Sequence, residues 1–97
     1  MDEETIFQKE LIDDLKKLFD GCIVLVNDPR KMQGVPDLVI LWKGKWAALE
    51  CKRERKASKR PNQPFYVRKM DSMSFARFIY PENKQEVLDE LQRSFGA

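Results

Sequence analysis

The chain contains no histidine. That absence removes Ser-His-Asp and Cys-His triads, two-histidine metal sites and every nuclease chemistry that needs an imidazole base. Any hydrolysis must then run on carboxylates, lysine and a bound metal ion. Cysteine is scarce as well: Cys22 and Cys51 stand in strand-like apolar surroundings, and no CxxC spacing joins them. They read as buried free thiols rather than as a metal knuckle or a redox pair. Long apolar stretches are missing too. The longest run, Leu38 to Trp42, is far too short to cross a bilayer, and the start Met1-Asp2-Glu3-Glu4-Thr5 lacks the basic region of a signal peptide. The expectation is a cytoplasmic protein with no membrane partner and no organic cofactor. No repeat, low-complexity tract or Gly/Ser linker divides the sequence.

What is present suits one small folded unit. Ninety-seven residues with 42% hydrophobic content can bury one core but not two, so residues 1–97 are expected to form a single domain. Charged residues make up 35% of the chain and nearly cancel to a formal +2, so net charge announces no nucleic-acid partner. Their distribution says more. Acids crowd the first twenty positions, whereas Lys52, Arg53, Arg55, Lys56, Lys59 and Arg60 form a basic run interrupted among charges only by Glu54.

Apolar spacing orders the elements. From about Glu3 to Phe19, the residues Phe7, Leu11, Leu15, Leu18 and Phe19 share one arc of a helix that Asp20-Gly21 ends. Cys22 to Val26 is a short β-rich run closed by Asn27-Asp28-Pro29. Leu38–Trp42 and Trp46–Leu49 flank Lys43-Gly44-Lys45 as a hairpin, and the unbroken apolar first arm predicts a strand covered on both faces. Asn62 or Gln63 is placed to cap a helix that holds Pro64 in its first turn and buries some of Phe65, Tyr66, Val67, Met70 and Met73. Ser74 to Tyr80 reads as a fourth strand. Asn83 with Glu86 resembles a capping box for a last helix whose face carries Val87, Leu88, Leu91 and Phe95, with Gly96 after its end. The fold class expected is α/β, an α+β chain with a mixed sheet.

The hairpin brings chemistry together. With a two-residue loop at Lys43-Gly44, Trp42 faces Lys45 and Asp37 lies directly opposite Glu50, at a separation of about 5 Å between Cβ atoms. Lys52 points the same way, because alternate strand residues share a face. A three-residue loop with Gly44 in a bulge would slip the register, and the two acids would meet less squarely. Facing carboxylates beside a buried strand repel unless a proton, a lysine or a metal intervenes. Oxygen ligands suit a hard ion such as magnesium or manganese, held by one or two carboxylates plus substrate phosphate. Taken alone, Asp37 reads as a turn residue after proline, and Glu50 and Lys52 as a solvated strand edge. Neither reading explains why acid, acid and lysine converge.

Gly34-Val35-Pro36-Asp37, then Glu50-Cys51-Lys52 at the end of the next strand, then Gln63 opening a helix, resembles the VRR-NUC branch of the PD-(D/E)xK nucleases. The chain is similar to its stand-alone phage and prophage enzymes, and the resemblance covers essentially the whole chain. It implies a restriction-endonuclease-like αβββαβ core, with the host cytoplasm as the setting if phage-encoded. It further implies that Asp37, Glu50 and the Cys51 backbone carbonyl ligate the metal, with the Cys51 side chain in the core. Lys52 would position the attacking water. Gln63 would orient the site, or serve only as a helix cap. From the first helix, Glu4 as a further metal ligand and Gln8 as a supporting residue are preferred to Glu10, which points away; the alternative for Glu4 is first-turn charge that complements the helix dipole.

The expected function is a divalent-metal-dependent DNA endonuclease, with branched DNA such as four-way junctions as the substrate class and a homodimer as the assembly. Arg53, Arg55, Lys56, Lys59 and Arg60 would contact phosphates, Lys56 nearest the reacting one, against the alternative of a solvated loop. Gln33 and Gly34 would face DNA, glycine allowing close backbone approach, or form a plain turn. Trp42 and Trp46 suit core packing or a subunit contact better than base stacking. The rival is a non-catalytic nucleic-acid-binding protein, or a host-enzyme-interaction protein, on the same fold.

Overall fold

The helical arc of Phe7, Leu11 and Leu15 forms α1, Glu3–Leu18, with all three side chains buried. Its start is fixed by Asp2, whose carboxylate accepts the Thr5 N–H at 2.8 Å. The computed structural model describes all 97 residues. After α1 come β1 (Ile23–Val26), β2 (Leu38–Trp42), β3 (Lys45–Cys51), α2 (Asn62–Met73), β4 (Phe75–Ile79) and α3 (Lys84–Phe95). The strands form one mixed sheet in the order β1-β2-β3-β4. The first three are antiparallel, and β4 runs parallel to β3 after the α2 crossover. No helix is long and apolar enough to cross a membrane.

Strand alternation divides the sheet into two faces. On one, Leu38, Ile40, Ala47, Leu49, Cys51, Phe75 and Ile79 join α1 and α3 in the main core. On the other, Ala48 and Ala76 receive Val67 of α2, with Val39, Trp46, Met70 and Phe78 packed around them. Small alanines at the centre of β3 and β4 let α2 lie close to the sheet. At the hairpin end of the core, Phe19, Trp42 and Phe95 pack together with centroids 5.2–6.0 Å apart, Trp42 stacked on Phe95 and Phe19 inclined to both, and Trp42 Nε1 donates to the Asp20 carbonyl at 2.9 Å. Trp42 therefore does core work, and Trp46 packs under α2.

The hairpin follows the two-residue register: Trp42 pairs with Lys45 and Leu38 with Leu49. Both loop residues, Lys43 and Gly44, have positive φ, 50° and 77°, as a type I′ turn requires.

Three sequence expectations change. The β2 strand is not covered on both faces, since Leu41 is 37% exposed. The reason is the placement of α2, which packs mainly on β3 and β4, reaches β2 only at Val39 and leaves Ile23, Leu25 and Leu41 of that face exposed. Neither Asn62 nor Gln63 caps α2; both are inside it, Pro61 holds the cap position without a side-chain bond, and the Gln63 amide turns inward. The Asn83–Glu86 capping box does not form. Asn83 instead accepts the Tyr80 N–H and donates to the Phe78 carbonyl, tying the α3 start to the end of β4. Gly96 does close α3, in the left-handed conformation.

Candidate active site

The β2–β3 register, continued by one pair beyond Leu38 and Leu49, sets Asp37 against Glu50 on the α2 face. Backbone bonds lock that last rung. The Asp37 carbonyl accepts the Asn27 N–H at 2.8 Å, extending the β1–β2 ladder to Asp37. The Asp37 N–H donates to Glu50 Oε1 at 3.2 Å, and the Cys51 N–H donates to Asp37 Oδ2 at 3.0 Å. Each acid is thus held by the other's strand. The Cys51 side chain is fully buried in the main core, and burial pushes its thiol far above the ordinary range, so it acts at the site through its backbone.

Lys52 leaves β3 on the same side as Glu50 and is 7% exposed. Its Nζ donates to Gln63 Oε1 at 2.8 Å and to the Ser58 carbonyl at 3.1 Å, and lies 3.9 Å from Glu50 Oε2. Gln63, from the first turn of α2, closes the circuit: its Nε2 donates to Glu50 Oε2 at 2.8 Å. One amide therefore bridges acid and ammonium, donor to one and acceptor to the other. Every buried side-chain polar atom has a partner, so the cluster is fully satisfied as it stands.

Electrostatics follow from this burial. Glu50 is 3% exposed, and its carboxyl is pushed up to about 8, by burial first and by neighbouring Asp37 second. Asp37 is raised in the same direction by burial, against the Cys51 N–H and Lys52, which favour its charged form. Glu4 is raised by burial and by Asp37, which places its carboxyl within electrostatic reach of the pair. Glu4 and Lys52 line one cleft of about 610 Å³ with Asp2, Glu3, Arg53 and Ser58. Gln8, one turn farther along α1, is half-buried and joins neither the cleft lining nor the hydrogen-bonded cluster.

No three His, Cys, Asp or Glu side chains close around a single point. A hard divalent ion does not require three. Magnesium at phosphoryl-transfer sites is commonly held by one or two carboxylates, waters and the substrate itself. Two facing acids, both raised from their ordinary range and Glu50 the more clearly, fit that demand, and a cation between them would relieve their repulsion.

The basic run lies on the loop from Lys52 to α2, and its charges have separate fates. Arg53 lines the cleft beside Lys52 and Glu4, whereas Lys56 is exposed and does not line it. Arg55 lies over the Tyr80 ring, and its N–H is held by the Glu82 carboxylate. Lys59 sits over Phe78 at 5.0 Å. The Arg60 N–H donates to Gln63 Oε1 at 2.9 Å.

Gly34 is buried, with φ of 88°, and a Cβ there would lie 2.4 Å from Asn62 Cβ. The glycine lets the loop before β2 approach α2 closely. Gln33 beside it is exposed. Sequence reading missed Ser58 and Glu82, and gave Asn62 only a capping role. The first acts through its backbone carbonyl, a group every residue has, so no sequence signal marks it.

No family model and no curated protein matches this chain.

Proposed function

We propose that this protein is a divalent-metal-dependent DNA endonuclease of the PD-(D/E)xK class, VRR-NUC branch, built on a restriction-endonuclease-like core. The observation that carries the reading is the rung formed by Asp37 and Glu50, with Lys52 and Gln63 joined to Glu50 Oε2. Asp37, Glu50 and the Cys51 backbone carbonyl would hold magnesium or manganese, with Glu4 positioned to join them across the cleft. Such an ion would offset charge building on the phosphate and make a nearby water a better nucleophile. Lys52 supplies an ammonium beside that water and the developing oxyanion. Gln63 keeps Lys52 and Glu50 in register with one another.

Arg53, Arg55, Lys56, Lys59 and Arg60 supply phosphate contacts around the cleft. A homodimer is the assembly we favour. The support is edge strand β1, where Ile23, Leu25 and Val26 are 57%, 46% and 58% exposed with no charge among them. Two sites related by a twofold axis would suit a four-way junction.

The deciding experiment is cleavage of plasmid, linear, forked and four-way DNA with and without magnesium, comparing wild type with Asp37→Ala and Lys52→Ala. Cutting that needs metal and is lost in both variants supports the reading. Binding without cutting of any substrate would instead favour a non-catalytic nucleic-acid-binding protein.

A further inference from the structure

Beside the acid pair, the loop before β2 and the start of α2 enclose a second recess, about 210 Å³, lined by Gln33, Gly34, Arg60, Pro61 and Asn62. Gln33 and Asn62 are exposed, and neither side-chain amide makes a hydrogen bond within the protein. Each offers donors and an acceptor together, the complement of a nucleobase edge. Three residues after Asn62, on the same outward face of α2, Phe65 is 54% exposed. Its ring rests edge-on against Tyr66, centroids 5.2 Å apart. The next outward positions, Arg68 and Lys69, are exposed cations. Phe65 belongs to neither core cluster, and α2 meets the sheet through Val67 and Met70. An exposed ring among cations is the arrangement on which unpaired bases stack.

The recess is also joined to the catalytic cluster. The Arg60 N–H donates to Gln63 Oε1, the same oxygen that accepts Lys52 Nζ. Arg60 thus borders the recess and is tied to the cluster through Gln63.

We propose that this recess, with Phe65 at its border, is a nucleobase subsite that takes an unpaired base of the DNA strand next to the phosphate under attack. The proposal rests on the nuclease reading above and narrows it. The substrate must offer a base free of its partner: a single strand, a frayed end or a branch point. Phe65 is the stacking platform, the Gln33 and Asn62 amides meet the base edge, and Arg60 meets the backbone. A base locked in duplex cannot enter without being unstacked, so fully paired DNA is the poorer ligand.

The test is binding of a short single-stranded DNA carrying 2-aminopurine, in EDTA so that no cleavage can occur, against the same strand annealed to its complement. Wild type is expected to bind the single strand about tenfold or more tightly than the duplex and to quench the fluorescent base. Phe65→Ala, whose side chain is exposed and whose melting temperature is checked alongside, is expected to weaken single-strand binding about fivefold or more and to restore fluorescence. Phe65→Tyr should retain both properties. Equal binding and quenching by wild type and Phe65→Ala would overturn the subsite while leaving the nuclease reading intact. Conversion of a dimer to a monomer by Phe65→Ala, with quenching unchanged, would also overturn it and make Phe65 a contact between copies. Failure of the wild type to bind any DNA, with or without magnesium, would remove both.

Discussion

At the scale of residues, Glu50 is where fold and function pull against each other. Its carboxyl is held at about 8 against an ordinary 4.5. The folded protein therefore keeps a proton that the unfolded chain gives up near pH 4.5. Metal-free stability contributed by this group is present below pH 4.5, declines as pH rises toward 8 and is lost above it. Asp37, raised in the same direction, adds to the decline. Thermal melts in EDTA should show Tm falling by several degrees between pH 5 and pH 8.5, with a clearly smaller fall for Glu50→Gln. A flat wild-type profile over that range would contradict the burial argument. Gln63 gives a second residue-scale prediction. Gln63→Leu removes the bridge between Glu50 and Lys52, so kcat should drop about 10²-fold with KM nearly unchanged. Unaltered kcat would reduce Gln63 to a helix residue. Asp37, Glu50 and Lys52 were legible in sequence because strand alternation and a two-residue loop fix their faces. The reach of Gln63 across to Glu50 and Lys52 was legible only as an analogy. It depends on where α2 settles over β3, which no local pattern encodes.

At the scale of elements, the Asp-Pro-rich connection between β1 and β2 is held down by close approach. Asn27 Nδ2 donates to the Pro36 carbonyl at 2.6 Å, and Gly34 lies against Asn62. Gly34→Ala must accept a positive φ, about 1–2 kcal/mol, and a clash with Asn62 Cβ, about 1–3 kcal/mol. Denaturant titration should show both losses, and adding Asn62→Gly, which removes that Cβ but leaves the Asn62 backbone 3.0–3.2 Å away, should restore part of the second and none of the first. No recovery in the double variant would mean that the contact is not the cause. Helices α1 and α3 and the hairpin were readable because their apolar periods and turn residues agree with the fold. The cap of α2 and the capping box of α3 were not. In both, the polar side chain that sequence assigns to a helix end is taken by a tertiary partner: Glu50 and Lys52 for Gln63, and the end of β4 for Asn83.

At the scale of the whole molecule, the three helices cover the sheet unequally. Packing of α2 mainly on β3 and β4 leaves Ile23, Leu25 and Leu41 open to solvent on one half of a face. The sequence pattern of β2 concealed this, since an apolar strand reads the same whether helix or partner covers it. If that half-face joins two copies, sedimentation should give a dimer for wild type and a monomer for Leu25→Lys, which carries a charge into the centre of the edge. A monomeric wild type would remove the dimer. The central claim is narrower than any substrate or assembly: the acids of β2 and β3 together bind one divalent ion. Calorimetric titration of the metal-free protein with Mn²⁺ at pH 8 measures it directly. A single saturable site in the wild type, weakened about tenfold or more by Asp37→Asn, is the predicted result. No saturable binding, or the same affinity with Asp37 neutralised, would contradict it.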